Sequence, residues 1–146
     1  MSRRAMILGG VLVAGALGYA VLSMMGGDDP GGDRSAIAPG APMVEVALPA
    51  TLGDAAGMGK AAFEAHCVTC HGENAAGKAG NGPPLVHEIY EPGHHADYAF
   101  QMAVENGVQA HHWSFGDMPP VEGLTRSDVS NIVAYVRTLQ RANGIN

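Results

Sequence analysis

The stretch Cys67-Val68-Thr69-Cys70-His71 decides how this chain is read. Two cysteines three positions apart lie on one nascent helical turn. Each can add across one vinyl group of a protoporphyrin, giving two thioether bonds. The histidine that follows is then carried beneath the iron, where its imidazole serves as proximal ligand. These are the only cysteines in the sequence, so no others compete for the role. A thioredoxin-like dithiol would need a βαβ context, and the hydrophobic pattern offers none. A zinc site would need further ligands at finger-like spacing, and there is no second cysteine pair. The motif therefore predicts one covalently bound haem c, with Cys67 and Cys70 as thioethers and His71 on the iron.

The flanking pattern is helical. Thr51-Leu52-Gly53-Asp54 resembles a capping box, with Asp54 as a second N-cap candidate, so a helix is expected to start there and run into the haem motif. Its buried face is expected to carry Met58, Ala62, Phe63 and His66. A short helix is predicted over Asp97 to Asn106, closed by Gly107. Thr125-Arg126-Ser127-Asp128 offers another capping box, ahead of Val129, Ile132, Val133, Val136 and Leu139 at helical spacing. Asn143-Gly144 is the expected stop. No stretch alternates as a strand does, so the predicted fold class is all-α.

Composition points the same way. Of the 146 residues 47% are apolar but only 5% aromatic, which is little for a large self-sufficient core. A covalent haem would supply the missing apolar volume. The whole chain has a formal charge of −6, and residues 53–146 carry 5 basic against 10 acidic side chains. Without a basic stripe, nucleic acid is not an expected partner.

The first 52 residues separate from the rest. Arg3 and Arg4 precede an uncharged run from Ala5 to Met25, and Asp28 and Asp29 close it. About 21 residues at about 1.5 Å each span roughly 31 Å, a bilayer hydrocarbon core. The charge asymmetry places the N-terminus inside and the remainder outside. A cleaved signal peptide is the alternative, with Ala14-Gly15-Ala16 as a cleavage-like site, but the length of the run favours a retained anchor over residues 1–25. Either way the domain is expected on the periplasmic side of a bacterial inner membrane. Residues 26–52, rich in Gly, Pro and Asp, are expected to form a flexible tether with a reach of roughly 25–30 Å. Within it, Val44–Leu48 is a short apolar patch with docking on the domain as one option. The domain itself is placed at 53–146.

Over roughly residues 54–142 the chain resembles the class I cytochromes c of the small single-haem bacterial type. Gly59 and Phe63 match the glycine and aromatic of that family's first helix, and Tyr135 the aromatic of its last, where the two helices cross. Gly82-Pro83-Pro84-Leu85 matches its G-P-x-L loop. By resemblance, the Pro83 carbonyl accepts a hydrogen bond from Nδ1–H of His71, leaving Nε2 for iron. Met118-Pro119-Pro120 matches the distal-ligand loop, which makes Met118 the implied sixth ligand. Trp113 stands where small members carry a tryptophan whose indole N–H donates to a haem propionate.

The resemblance implies one-electron transfer by a membrane-tethered carrier, with His71 and Met118 leaving no open site for substrate. Its implied partners are inner-membrane redox complexes such as a quinol-oxidising complex and a terminal oxidase. The chain departs from mitochondrial members in lacking a lysine ring, since only Lys60 and Lys78 are available in the domain. The alternatives are a fixed haem subunit of a larger oxidase or dehydrogenase, or a peroxidase or gas-binding haem if Met118 is labile. The doublets His94-His95 and His111-His112 fall outside the plain pattern. A copper, zinc or nickel site would need one histidine from each doublet, because neighbours cannot share a helix face. The reading preferred from sequence is a set of surface, propionate-bonding or partner-contacting side chains, with an alternative iron ligand as a further option.

Overall fold

Four α-helices and two 3₁₀ turns follow one another without a strand among the described residues, which in this computed structural model are 37–146. The expected anchor and the first part of the expected tether lie outside them. We label the helices α1 (Asp54–His66), α2 (Val68–His71), α3 (Asp97–Asn106) and α4 (Arg126–Ala142), with 3₁₀ turns at Glu73–Ala75 and Glu88–Tyr90. Two isolated antiparallel bridges, Lys78 with Gly82 and Val108 with Met118, are the only β pairing among these residues.

Helix α4 forms where its sequence says it should. The Thr125 hydroxyl accepts from the Asp128 N–H, and the Asp128 carboxylate accepts from the Thr125 N–H, closing a reciprocal capping box. Val129, Ile132, Val133, Val136 and Leu139 are all buried. The helix ends at Ala142, with Gly144 beyond it at φ +79°.

Helix α1 starts at the expected place by a different route. Gly53 is its N-cap, with no side-chain hydrogen bond, so the Thr51 and Asp54 caps do not form. Asp54 is instead the first helical residue, where its carboxylate faces the positive end of the helix dipole. The buried stripe is Ala56, Gly59 and Phe63, while Met58 is 57% exposed and His66 is also exposed. The expectation for Met58 and His66 is thus corrected. Close approach of α4 at Gly59 sets the stripe, not the larger side chain at Met58.

At that approach a Cβ on Gly59 would lie 1.8 Å from the Asn131 carbonyl oxygen. Only glycine lets the two backbones come so near. Beside it Phe63 and Tyr135 meet edge to face, their centroids 5.7 Å apart, and the Tyr135 hydroxyl donates to Asn74 Oδ1 at 3.2 Å. Phe63 and Val136 are fully shielded and Leu139 nearly so. Burying each such side chain contributes about 1.5–3 kcal/mol.

Arg137, buried on α4, binds the cavity-side loops to this pair. Its Nε donates to Asp97 Oδ1 at 2.8 Å, and its Nη atoms donate to the Tyr90 and His95 carbonyls and to Gln140 Oε1. Gln140 Nε2 in turn donates to the Leu85 and Tyr90 carbonyls at 2.8 and 3.0 Å. The guanidinium also lies 5.0 Å from the Phe100 ring centroid, a cation–π distance.

Part of the segment assigned to the tether is fixed on the domain. Gly40 N–H donates to Ala79, Met43 and Val44 N–H to Ala76, and Ala79 N–H to Ala41. Ala47 exchanges two hydrogen bonds with the Asn143 side chain, at 2.8 and 2.9 Å, and Val46 packs against the core. Leu48 stays 60% exposed. Composition flagged the glycines and prolines here. It does not register that the 76–79 turn offers backbone groups in need of partners.

Candidate haem site

Helix α2 is a single turn, and it carries the attachment motif. Cys67 forms its N-terminal boundary, and the His71 N–H donates to the Cys67 carbonyl at 2.9 Å. The turn points Cys67, Cys70 and His71 into one cavity of about 860 Å³ with largely apolar walls. Phe63 and Ile132 of the crossing helices reach the same cavity, as do Phe100 and Val104 of α3.

His71 is buried, and its Nδ1 lies 2.9 Å from the Pro83 carbonyl oxygen. With Nδ1–H donating there, Nε2 keeps its lone pair. Burial lowers the His71 pKa, and the Pro83 contact opposes this only in part, so the imidazole is held neutral. Burial, with the Cys70 thiol beside it, pushes the Cys67 thiol up to about 11. That is the reverse of a catalytic C-x-x-C, whose attacking thiol is shifted down to favour the thiolate.

Met118 lines the same cavity. Its backbone is paired on both sides with Val108, each N–H to carbonyl distance being 2.9 Å. Gly107, at φ +74°, makes this close approach possible: a Cβ there would lie 2.5 Å from the Met118 carbonyl oxygen. Pro119 and Pro120 follow, and Val121 N–H donates back to Val104 of α3. The loop that presents the thioether is therefore held by backbone bonds at both ends.

Trp113 also lines the cavity, stacked on Phe115 at 5.8 Å and meeting His87 edge-on at 5.3 Å. Its indole Nε1 is buried without a hydrogen-bond partner. A buried donor left unpaired is costly and marks a missing acceptor. An apolar cavity of this size, two cysteine side chains, a neutral imidazole and an indole N–H without an acceptor fit a haem with its propionates.

The histidine doublets occupy turns rather than helices, so both members of a doublet can face the same way. His94, His95 and His112 converge, and the His111 ring lies beside His112, tilted by 52° with centroids 4.3 Å apart. Partial desolvation, with the facing imidazoles of His111, His95 and His94, lowers the His112 pKa. The requirement for one histidine from each doublet rested on helix geometry and does not hold here.

Sequence reasoning missed Arg137 and Gln140. Both fall on the apolar stripe of α4, at helical spacing from Val133 and Val136, and a polar residue on a buried stripe is a signal for a hydrogen-bonded junction.

A helical shell around an apolar cavity, with C-x-x-C-H on its wall, defines a protein that carries covalent haem. The family model described as Cytochrome c matches residues 56–140, and the chain belongs to that family. No curated protein matches the chain, and neither does any solved structure. Its cofactor is one haem c, and the cytochrome c domain implies haem-based electron transfer, the usual work of family members.

Proposed function

We propose that the protein is a one-electron carrier held at the periplasmic face of a bacterial inner membrane by its Ala5–Met25 segment. Haem c supplies the ferric/ferrous couple. Cys67 and Cys70 would hold it as thioethers, and His71 and Met118 would ligate its iron. The observation that carries this reading is the pairing in one cavity of two neutral side chains with free donor atoms. One is the imidazole fixed by Pro83, the other the thioether fixed by the Val108 bridge. A preorganised loop lowers the entropy lost in holding a weak ligand. A neutral thioether favours ferrous over ferric iron and raises the reduction potential. With His71 and Met118 both holding the iron, water and small substrates would be kept from the metal, which argues for a carrier rather than an enzyme. The Trp113 N–H would donate to a propionate.

Charge supports electropositive protein partners. The acidic domain suits a basic docking face on inner-membrane complexes, such as a quinol-oxidising complex that donates and a terminal oxidase that accepts. The test is an absorption spectrum and redox titration of wild type beside Met118→Ala. Wild-type ferric protein is expected to show the near-infrared-edge charge-transfer band of thioether ligation. Met118→Ala is expected to lose it, with a lower midpoint potential and the haem still covalently attached. A wild type without that band refutes the ligand assignment. Mass spectrometry of the mature N-terminus, with membrane fractionation, tests the anchor.

A further inference from the structure

Haem ligation leaves a group of histidines unused, and they come together. The ring nitrogens that His94, His95 and His112 offer all lie within 4.8 Å of one another. His94 Nε2 and His112 Nε2 are 3.3 Å apart. Two imidazoles bound to one tetrahedral zinc at about 2.0–2.1 Å hold their nitrogens about 3.3–3.4 Å apart, so this edge of a coordination polyhedron is already set. His94 and His112 are exposed and can rotate to close the remaining spacing.

The hydrogen bonding behind the cluster has the form a metal site requires. His95 Nδ1 lies 2.6 Å from the Ile89 carbonyl oxygen, so Nδ1–H donates there and Nε2 presents its lone pair. His111 is arranged likewise, with Nδ1 2.8 Å from the Gln109 carbonyl. Ligating histidines almost always donate their other N–H to a carbonyl or carboxylate, which fixes tautomer and ring orientation. The two doublets meet because the Glu91 turn and the 109–112 segment carry them to the cavity rim, where His95, His111 and His112 are also wall residues.

We propose that His94, His95 and His112 form a three-imidazole site for a divalent cation of the copper–zinc end of the first-row series. A donor set of imidazole nitrogens without carboxylates selects these ions over magnesium or calcium, which take oxygen. The site lies on the rim of the haem cavity but uses neither His71 nor Met118, so it can be tested apart from the carrier reading.

The full-length haem-loaded protein, stripped with chelator, is titrated with Zn²⁺ alone by calorimetry and with Cu²⁺ alone by electron paramagnetic resonance. One ion per chain is expected, with hyperfine structure from imidazole nitrogens in the copper spectrum. His112→Ala and His94→Ala each weaken Zn²⁺ binding at least about a hundredfold, since losing a ligand costs no less than losing its outer partner. His66→Ala leaves binding unchanged, and unaltered haem spectra show that every variant is folded. The proposal is overturned if no stoichiometric ion binds, or if His112→Ala binds Zn²⁺ as wild type does. It also fails if Zn²⁺ does not bind while His112→Ala changes the haem spectrum, which would assign the cluster to the haem propionates.

Discussion

The α1–α4 crossing and the α3 side of the molecule are built on opposite terms. At the crossing, protein packs on protein: Phe63, Tyr135, Val136 and Leu139 are at most 2% exposed, and the helices touch backbone to backbone at Gly59. Helix α3 has no buried residue at all, and the side chains it turns inward line the cavity. One half of the core is therefore complete in the polypeptide, and the other is completed by the cofactor. In a domain with few aromatics, this division explains how so small a core suffices.

The largest test of that contrast removes covalent attachment. In Cys67→Ser/Cys70→Ser the helical circular dichroism is expected to fall by more than about half, as a small domain deprived of half its core becomes marginal. Residual hydrogen-exchange protection should be confined to α1 and α4. Protection of α3 equal to that of α4 would break the comparison.

The next test attacks the protein-on-protein half. Gly59→Val forces the crossing apart and is expected to cost about 3 kcal/mol or more in denaturant unfolding. Gly57→Ala is its control, since a Cβ there meets nothing within 4 Å. That change should be neutral or stabilising by up to about 1 kcal/mol. Equal losses in the two variants would remove the crossing's special status.

A third test addresses the link between the halves. Arg137→Leu leaves the His95 carbonyl and Gln140 Oε1 without their donor, at an expected cost of about 2–3 kcal/mol. Asp97→Asn should cost under about 1 kcal/mol, because the Asp97 side chain is 69% exposed and water replaces its partner. A larger loss from Asp97→Asn than from Arg137→Leu would show that the ion pair, not the carbonyl junction, is the link.

The smallest effect is at the cap of α4. Thr125→Ala is expected to cost about 1 kcal/mol, a few degrees in Tm. Hydrogen bonds from the Thr125 side chain and backbone hold the Asp128 carboxyl below its usual range. A lowered folded pKa means that the contribution is present above the ordinary carboxylate pKa and disappears as pH falls through the folded value. The Tm difference between wild type and Asp128→Asn should therefore be present at pH 7 and disappear as pH falls through the lowered pKa of Asp128. A difference that persists in acid would place the effect elsewhere.

What could be read from the sequence follows the same division. Helix α4 announces itself because its cap, stripe and stop all agree, and α3 because Gly107 closes it where a positive φ is needed. The stripe of α1 is harder to read, since its decisive residue is a glycine, whose role is to be absent where Asn131 approaches. The motif residues are local and legible. The Arg137 junction and the histidine cluster are not, because each joins chain segments far apart in sequence. The 40–47 segment was obscured for another reason: its partners are backbone groups, which composition does not count.

Ala47 and Asn143, which exchange two hydrogen bonds, are separated by 96 positions. A ribosome delivers Ala47 and the attachment motif long before it delivers Asn143, and α1 likewise waits for α4. During that interval Cys67 and Cys70 sit on a chain that cannot yet close over them. The topology thus leaves the thiols open to an attachment apparatus until α4 has been made, and that helix then acts as the latch.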